Sequence, residues 1–284
     1  ENYISVIIPV YKDSVGLEET LKSLKKQTLS DQEYEIIVAN DGADKEINIV
    51  CNKYNVKMVS IFPNQGSYYA RNRALEMSKG EFLAFVDADI MVSENWLEKG
   101  KVALLKYDYV AGNVIIDKSK IKNVAHYYEY CYGFPIRTYL LHNHFGVTAN
   151  IFVKRKVFEE IGGFDQRLKS GGDKEFGDRV YRSKKFRQIY KKDVLVIHPP
   201  RGYKNLIKKI KRVTQGNIKL NQLYPIRFKI PKFSESIISI FVHTPERKLE
   251  LGRLWDFKLY VFASFINCLR CFYFIKLDKN NVNN

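Results

Sequence analysis

The chain has little of several things that mark large classes of protein. Four cysteines in 284 residues, Cys51, Cys131, Cys268 and Cys271, are too few and too unevenly spaced for a disulfide framework, and they read as reduced. No two glycines stand as Gly-x-Gly, so the dinucleotide fingerprint is absent. Gly172 and Gly177 have the spacing of a phosphate-binding loop, but Asp178 stands where its lysine belongs. There is no internal repeat and no low-complexity stretch. No basic-then-apolar segment stands before the first expected strand. In the apolar C-terminal stretch 254–275 the charge-free part, Leu259 to Leu269, is eleven residues long, whereas a membrane span needs about twenty. What remains, 45% hydrophobic and 27% charged residues, is the balance of a folded chain with a proper core.

Positive charge is abundant. Lys and Arg number 47 against 31 Asp and Glu, for a net charge of +16. The excess is uneven: residues 199–284 hold 17 Lys/Arg against 5 Asp/Glu, and residues 1–198 hold 30 against 26. A nearly balanced body with a basic extension suits an anionic partner, whether nucleic acid, an anionic membrane face or a phosphorylated substrate; the plain alternative is a solvated surface.

The first half alternates two periodicities. Strands are expected at 4–10, 34–39, 56–61 and 81–86, with helices at 17–27, 47–54 and 67–78 between them. Ile4-Ser5-Val6-Ile7-Ile8-Pro9-Val10 is the apolar run of a strand buried on both faces. This βαβαβαβ order predicts an α/β fold with a mostly parallel central sheet, flanking helices and a basic helical C-terminal extension. Beyond residue 109 the pattern is weaker. Strands are expected at 110–116, 147–153 and 194–197, a short helix at 157–161, and further helices at 175–184 and 204–219. Sheets of this kind bind ligands at the carboxyl ends of their strands. Asn40-Asp41-Gly42 and Asp87-Ala88-Asp89 both fall there.

Two carboxylates two residues apart at a strand end can reach one hard cation, with Mg²⁺ or Mn²⁺ sharing its remaining sites with substrate phosphates. The alternative for Asp87-Ala88-Asp89 is a cap for the helix entered at Ser93-Glu94-Asn95-Trp96.

Taken in order, Ile7-Ile8-Pro9-Val10-Tyr11, Asn40-Asp41-Gly42, Asn64-Gln65-Gly66, Ala70-Arg71-Asn72, Asp87-Ala88-Asp89, Gly162-Gly163-Phe164-Asp165 and Gly171-Gly172-Asp173-Lys174-Glu175-Phe176 resemble the pattern of family 2 glycosyltransferases. The resemblance covers about residues 3–200. It implies a GT-A fold and an inverting transfer of a sugar from a nucleotide-sugar donor, UDP-linked, to a hydroxyl of a glycan or lipid-linked acceptor. By that resemblance Pro9, Val10 and Tyr11 line the base, and Asp41 accepts the uracil N3–H. Gly66 and Arg71 lie beside the base and diphosphate. Asp87 with Ala88 faces the ribose, and Asp89 ligates Mn²⁺ or Mg²⁺, with His198 as a further metal ligand or diphosphate contact. Asp173 resembles the catalytic base. The family commonly has Glu-Asp where this chain has Gly172-Asp173, which leaves no second carboxylate. For four of these residues there is a plain reading too: turn chemistry for Asp41, a surface helix charge for Arg71, a helix cap for Asp173 and a structural histidine for His198.

The expected organisation is a glycosyltransferase domain over 1–200, with a nucleotide-sugar half to 110 and an acceptor half after it, followed by the extension 201–284. Tyr127, Tyr128, Tyr130, Tyr132 and Phe134 suit either stacking on acceptor sugars or core packing. His142 and His144 are read as loop or acceptor-site residues. Cys268-x-x-Cys271, lacking a second pair, is read as two helix-packing cysteines. The stretch 254–275 suits a helix lying in the plane of an anionic membrane, or docked on a partner, better than a span, with an ordinary packing helix as the plain alternative; the chain is expected in the cytoplasm, peripheral on the inner face of a membrane. Two rival functions remain. A metal-dependent nucleotidyltransferase needs a basic triphosphate loop after the first strand, where Lys12-Asp13-Ser14-Val15 is thin. A nucleic-acid-binding protein needs stacking aromatics inside 204–219, which has none, so no nucleic-acid partner is expected.

Overall fold

A computed structural model of the chain describes residues 2–229, 245 and 247–282. Part of the expected basic extension, 230–244, 246 and 283–284, lies outside the described residues. In chain order the elements are β1 (Ile4–Val10), α1 (Ser14–Leu24), β2 (Tyr34–Asp41), α2 (Lys45–Lys53), β3 (Lys57–Ile61), α3 (Ser67–Met77), β4 (Phe82–Val86), β5 (Met91–Val92), α4 (Trp96–Lys106) and β6 (Tyr109–Ile116). They continue with α5 (Val124–Tyr132), α6 (Ile136–Asn143), β7 (Asn150–Lys154), α7 (Arg155–Ile161), α8 (Gly172–Ser183), β8 (Gln188–His198), α9 (Tyr203–Leu223) and α10 (Arg253–Val282).

Contacts divide the chain into two compact units. One holds Glu1–Ile115, Ile136–Arg167 and Gly172–His198; the other holds Ile116–Pro135, Leu168–Gly171 and Pro199–Asn284. The expected division at residue 200 is therefore interrupted twice. The reason for one interruption is close packing inside the second unit. A side chain at Gly171, which has φ +84°, would strike Leu220, and one at Gly216 would strike Ser170, so the 168–171 segment seats tightly against α9.

In the first unit one eight-stranded sheet runs in the order β3-β2-β1-β4-β7-β6-β8-β5. β1 is buried at every position, as its uninterrupted apolar run requires. β1 pairs in parallel with β2, from Ile4↔Tyr34 to Val10↔Asn40, and with β4, from Ile4↔Phe82 to Ile7↔Phe85. Those registers bring the ends of β1, β2 and β4 to one edge. The parallel order expected from the sequence holds through β3-β2-β1-β4. Beyond it β4–β7, β6–β7 and β5–β8 are antiparallel. The buried Asn150 fastens this half: its amide donates to the carbonyls of Asn113 and Val194 at 2.9 Å, and its oxygen accepts from the Trp96 indole at 2.9 Å. Helix α1 starts three residues before its apolar pattern because the Asp13 side chain caps it, accepting from the Gly16 amide at 2.9 Å.

The second unit is helical. Asn123 caps α5, whose aromatic run turns inward: Tyr127 and Tyr128 are buried with Cys131, Leu206, Ile210, Leu259, Ala263 and Ile266. Of the two uses expected for Tyr127 and Tyr128, core packing is the one observed. Beneath them lies a buried ion cluster. Glu129 accepts from the Arg201 amide at 2.7 Å, the Arg201 guanidinium at 3.1 Å and Lys209 Nζ at 2.9 Å. Burial alone would push the Glu129 carboxyl up, but Lys209 and Arg201 outweigh it and hold it at about 2. A carboxylate whose folded pKa is depressed contributes stability that is fully present above its unfolded pKa of about 4.5 and is lost as pH falls toward 2. Glu129→Ala, which leaves the half-buried Arg201 and Lys209 without their shared carboxylate, is expected to cost about 3–5 kcal/mol in urea unfolding, and to remove that acid sensitivity. A loss below about 1 kcal/mol would contradict this reading of the cluster.

Helix α10 extends further than its charge-free stretch suggested. Its Arg253–Lys276 part is 24 residues long and contains an 18-residue window of mean hydropathy 1.3, which is long and apolar enough to cross a membrane by length and composition. The expectation for its cysteines is also corrected: Cys268 is exposed and Cys271 half-buried, so Cys268 is no packing residue.

Candidate functional site

The edge where β1, β2 and β4 end gathers most of the residues singled out in the sequence. Pro9 and Val10 close β1 and are buried, and Tyr11, just past its end, is half exposed. The Tyr11 ring covers Gly42, where φ is +137°, a conformation that favours glycine, and where an added Cβ would crowd the ring at 3.0 Å.

Asp41 ends β2 and is 3% exposed. One carboxylate oxygen accepts from the Gln65 amide at 2.7 Å. The other accepts from the Gly66 amide and the Asn64 side chain, each at 2.7 Å. The oxygens expected to meet a base are thus largely taken up by the 64–66 loop, which sets Gly66 at φ +98° as the start of α3. Asp41→Ala strands these donors and is expected to lower stability by about 1–3 kcal/mol. Unchanged thermal stability with weakened nucleotide binding would instead show that the carboxylate serves the base alone.

Helix α3 then delivers Tyr68, Arg71 and Asn72. Asn72 is a staple: its side chain donates to the Phe164 carbonyl at 2.8 Å and accepts from the Phe164 amide at 3.0 Å. Gly163 leaves it room, since a Cβ there would lie 2.7 Å from the Asn72 oxygen. Arg71 is 3% exposed; one terminal nitrogen bonds Asp87 at 2.5 Å, while its buried Nε has no hydrogen-bond partner among the described residues. A desolvated guanidinium with an unused donor suits an anionic ligand.

Asp87, Ala88 and Asp89 follow β4. The helix-cap alternative fails, because α4 begins at Trp96 behind Asn95. The segment is instead held by α1: Thr20 accepts from the Ile90 amide, Ser23 accepts from the Val92 amide, and the missing Cβ of Gly16 makes room for the Ala88 carbonyl. Asp87 and Asp89 are each 37% exposed. His198, at the end of β8 and 1% exposed, places Nε2 3.7 Å from an Asp89 oxygen. Two ligands of one ion, each about 2.0–2.2 Å from it, fit that separation. Among the described residues no group of three or more His, Cys, Asp or Glu side chains gathers, so an ion here would complete its shell with diphosphate oxygens and water.

Asp173 lies in the first turn of α8, inside the helix and not at its cap. One oxygen accepts from the Lys174 amide at 2.9 Å and from the Tyr68 hydroxyl at 3.2 Å. Burial raises its pKa; the Lys174 amide, Arg71 and Tyr68 oppose the rise, and Asp87 adds to it. The same packing accounts for the missing carboxylate next door. A Cβ on Gly172 would lie 2.8 Å from the Tyr68 ring, so the tyrosine occupies the place of a side chain at 172. Tyr68 was not singled out in the sequence; its signal was an aromatic one turn before Arg71, whose guanidinium sits 5.6 Å from the ring centre. His144 stacks on Tyr181 at 3.5 Å, and His142 lies in the last turn of α6.

Comparison with known proteins bears on the family and the fold. AglE of Haloferax volcanii, a glycosyltransferase, is 30% identical over 225 residues, 77% of this chain and 74% of AglE. The poly(ribitol-phosphate) β-N-acetylglucosaminyltransferase TarS of Staphylococcus aureus is 36% identical over 99 residues, 33% of this chain and 17% of TarS. Among solved structures, the mannosyltransferase PcManGT of Pyrobaculum calidifontis, in complex with GDP-Man and Mn²⁺, matches with a TM-score of 0.65 at 14% identity over 96% of this chain and 86% of that one. TarS 1–349 with UDP-GlcNAc matches with a TM-score of 0.57 at 19% identity, over 83% and 70%. These structural likenesses place the α/β sheet among GT-A glycosyltransferases. Residues 5–162 match the family described as Glycosyl transferase family 2, and with that match and the kinship to AglE this chain belongs to it.

Proposed function

We propose that the chain is an inverting glycosyltransferase that moves a sugar from a UDP-linked donor to a hydroxyl of a glycan or lipid-linked acceptor, with Asp173 as base. One observation carries the reading: a half-buried carboxylate of raised pKa is held by Tyr68 in the same charge cluster as Arg71 and Asp87.

Tyr11 and Asp41, with the loop that Asp41 holds, shape the place of the base. Asp41 has about four acceptor sites and three are filled, which leaves one for a base N–H. Uracil offers that hydrogen at N3 and cytosine does not. Asp87 faces the ribose, and Arg71 offers its spare donor to the diphosphate. Asp89 and His198 would hold a divalent ion, Mn²⁺ or Mg²⁺, which when bound offsets charge on the leaving diphosphate.

The acceptor hydroxyl lies against Asp173, on the face of the anomeric carbon opposite the diphosphate. Asp173 takes the hydroxyl proton as the oxygen bonds to that carbon and the bond to the diphosphate breaks. One displacement inverts the carbon, and Asp173 then returns its proton to solvent. A raised pKa suits the task, because a base of ordinary aspartate strength pulls weakly on a hydroxyl proton. A peripheral place on the cytoplasmic face of a membrane belongs to the same reading. The direct test is a panel of UDP-, GDP- and CDP-sugars assayed for nucleotide release with and without Mn²⁺. Release from UDP-sugars that depends on the metal supports the proposal; equal binding of UDP and CDP would remove the base contact from it.

A further inference from the structure

Helix α10 has two apolar faces. One is packed: Leu259, Ala263 and Ile266 are buried with Tyr127, Tyr128, Leu206 and Ile210. The other is exposed. Leu254, Phe257, Val261, Phe265, Phe272 and Ile275 are between 42% and 66% exposed, and the exposed Cys268 falls on the same line. Their spacing of three or four residues makes one stripe along the helix, on the side opposite the buried residues. No charged residue interrupts the stripe, while Arg253, Lys258 and Lys276 flank it and are exposed. In the same unit α9 exposes Lys204, Lys208, Lys211, Arg212 and Lys219 and contains no Asp or Glu. A continuous apolar stripe of this length is more than the scattered apolar exposure of an ordinary soluble surface.

We infer that this stripe is a docking surface for an anionic lipid bilayer, with α10 lying in the plane of the interface. A fully lipid-enclosed span is disfavoured by packing, since one face of α10 is held by α5 and α9, and Arg270, well inside the helix, bonds the Tyr128 hydroxyl at 3.2 Å. A second copy of the chain is disfavoured by charge. Residues 199–284 carry 17 Lys/Arg against 5 Asp/Glu, so pairing two stripes sets basic flanks against each other, whereas anionic headgroups neutralise them. Phenylalanines toward the acyl chains and lysines toward the headgroups match the two layers of such a surface. The inference rests on the peripheral placement proposed above and not on the transfer chemistry.

The full chain is tested by co-sedimentation with vesicles of phosphatidylcholine alone and with about one quarter phosphatidylglycerol. The native chain is expected to sediment with the anionic vesicles, to prefer them over neutral ones, and to retain part of that binding when salt is raised from about 0.1 to about 1 M. The triple change Phe257→Ser, Phe265→Ser, Phe272→Ser is expected to weaken partitioning about tenfold or more, with thermal unfolding and nucleotide-sugar hydrolysis in lipid-free buffer unchanged. Val261→Asp, one charge set into the stripe, is a second variant with the same expected direction should the triple change fail to fold. Equal partitioning of the native chain and a folded variant overturns the inference. So does a lipid-free dimer that the triple change dissolves, which would assign the stripe to a second copy. Loss of hydrolysis alone, with vesicle binding intact, bears on the proposed chemistry and leaves the docking surface standing.

Discussion

Asp173→Asn is expected to bind UDP within about twofold of the native chain while transfer falls about a hundredfold or more. The amide keeps the shape of the carboxylate and can still accept from the Lys174 amide and the Tyr68 hydroxyl, so the helix and the donor pocket stay in place. What it loses is proton affinity. The pH dependence gives a second readout. Burial raises the Asp173 pKa, so the acid limb of kcat lies above that of an ordinary aspartate. Tyr68 donates to the charged form and lowers that pKa, so Tyr68→Phe should move the limb further up. Substantial turnover by Asp173→Asn, with UDP affinity reduced, would make Asp173 a brace for α8. A limb that stays put in Tyr68→Phe would leave the tyrosine as packing over Gly172.

Asp89→Ala is expected to abolish transfer and to remove the Mn²⁺-dependent part of the thermal stabilisation by UDP. The side chain stands beyond the end of β4, 3.7 Å from His198 Nε2, and is partly open to solvent. On the proposed reading those two side chains would be the protein's contribution to a metal site whose other ligands come from the donor and water. His198 is nearly fully buried and set by β8, so it aims where Asp89 reaches. Full activity in Asp89→Ala, or native activity unchanged in excess chelator, would contradict the metal assignment.

The parallel half of the sheet was legible because its signals are local. β1 reads as a buried strand from its own composition, and parallel pairing then carries Asp41 and Asp87 to one edge. The antiparallel half was not legible in that way. β5 is two residues long, β8 begins in a polar run, and their pairing is set by contacts far apart in sequence. The second unit is discontinuous for the same reason: what ties 168–171 to α9 is a pair of glycines that leave room for close approach. Within the site the sequence named residue types but not their partners. Asp41 looked like a base contact and is largely spent on a loop. Asn72 looked like motif and is a staple. Tyr68 had only a weak local signal, an aromatic one turn before Arg71, because its part depends on the emptiness of Gly172, more than a hundred residues away.

The central claim is single-displacement transfer from a UDP-sugar at the Asp89–Asp173 site. Proton NMR of the first-formed sugar, recorded while the native chain hydrolyses UDP-sugars with Mn²⁺ present, tests it most directly. Release of UDP with the sugar appearing first in the anomeric configuration opposite to that of the donor is the expected result. A first-formed sugar of retained configuration, or no UDP release from any sugar of the panel, would contradict it.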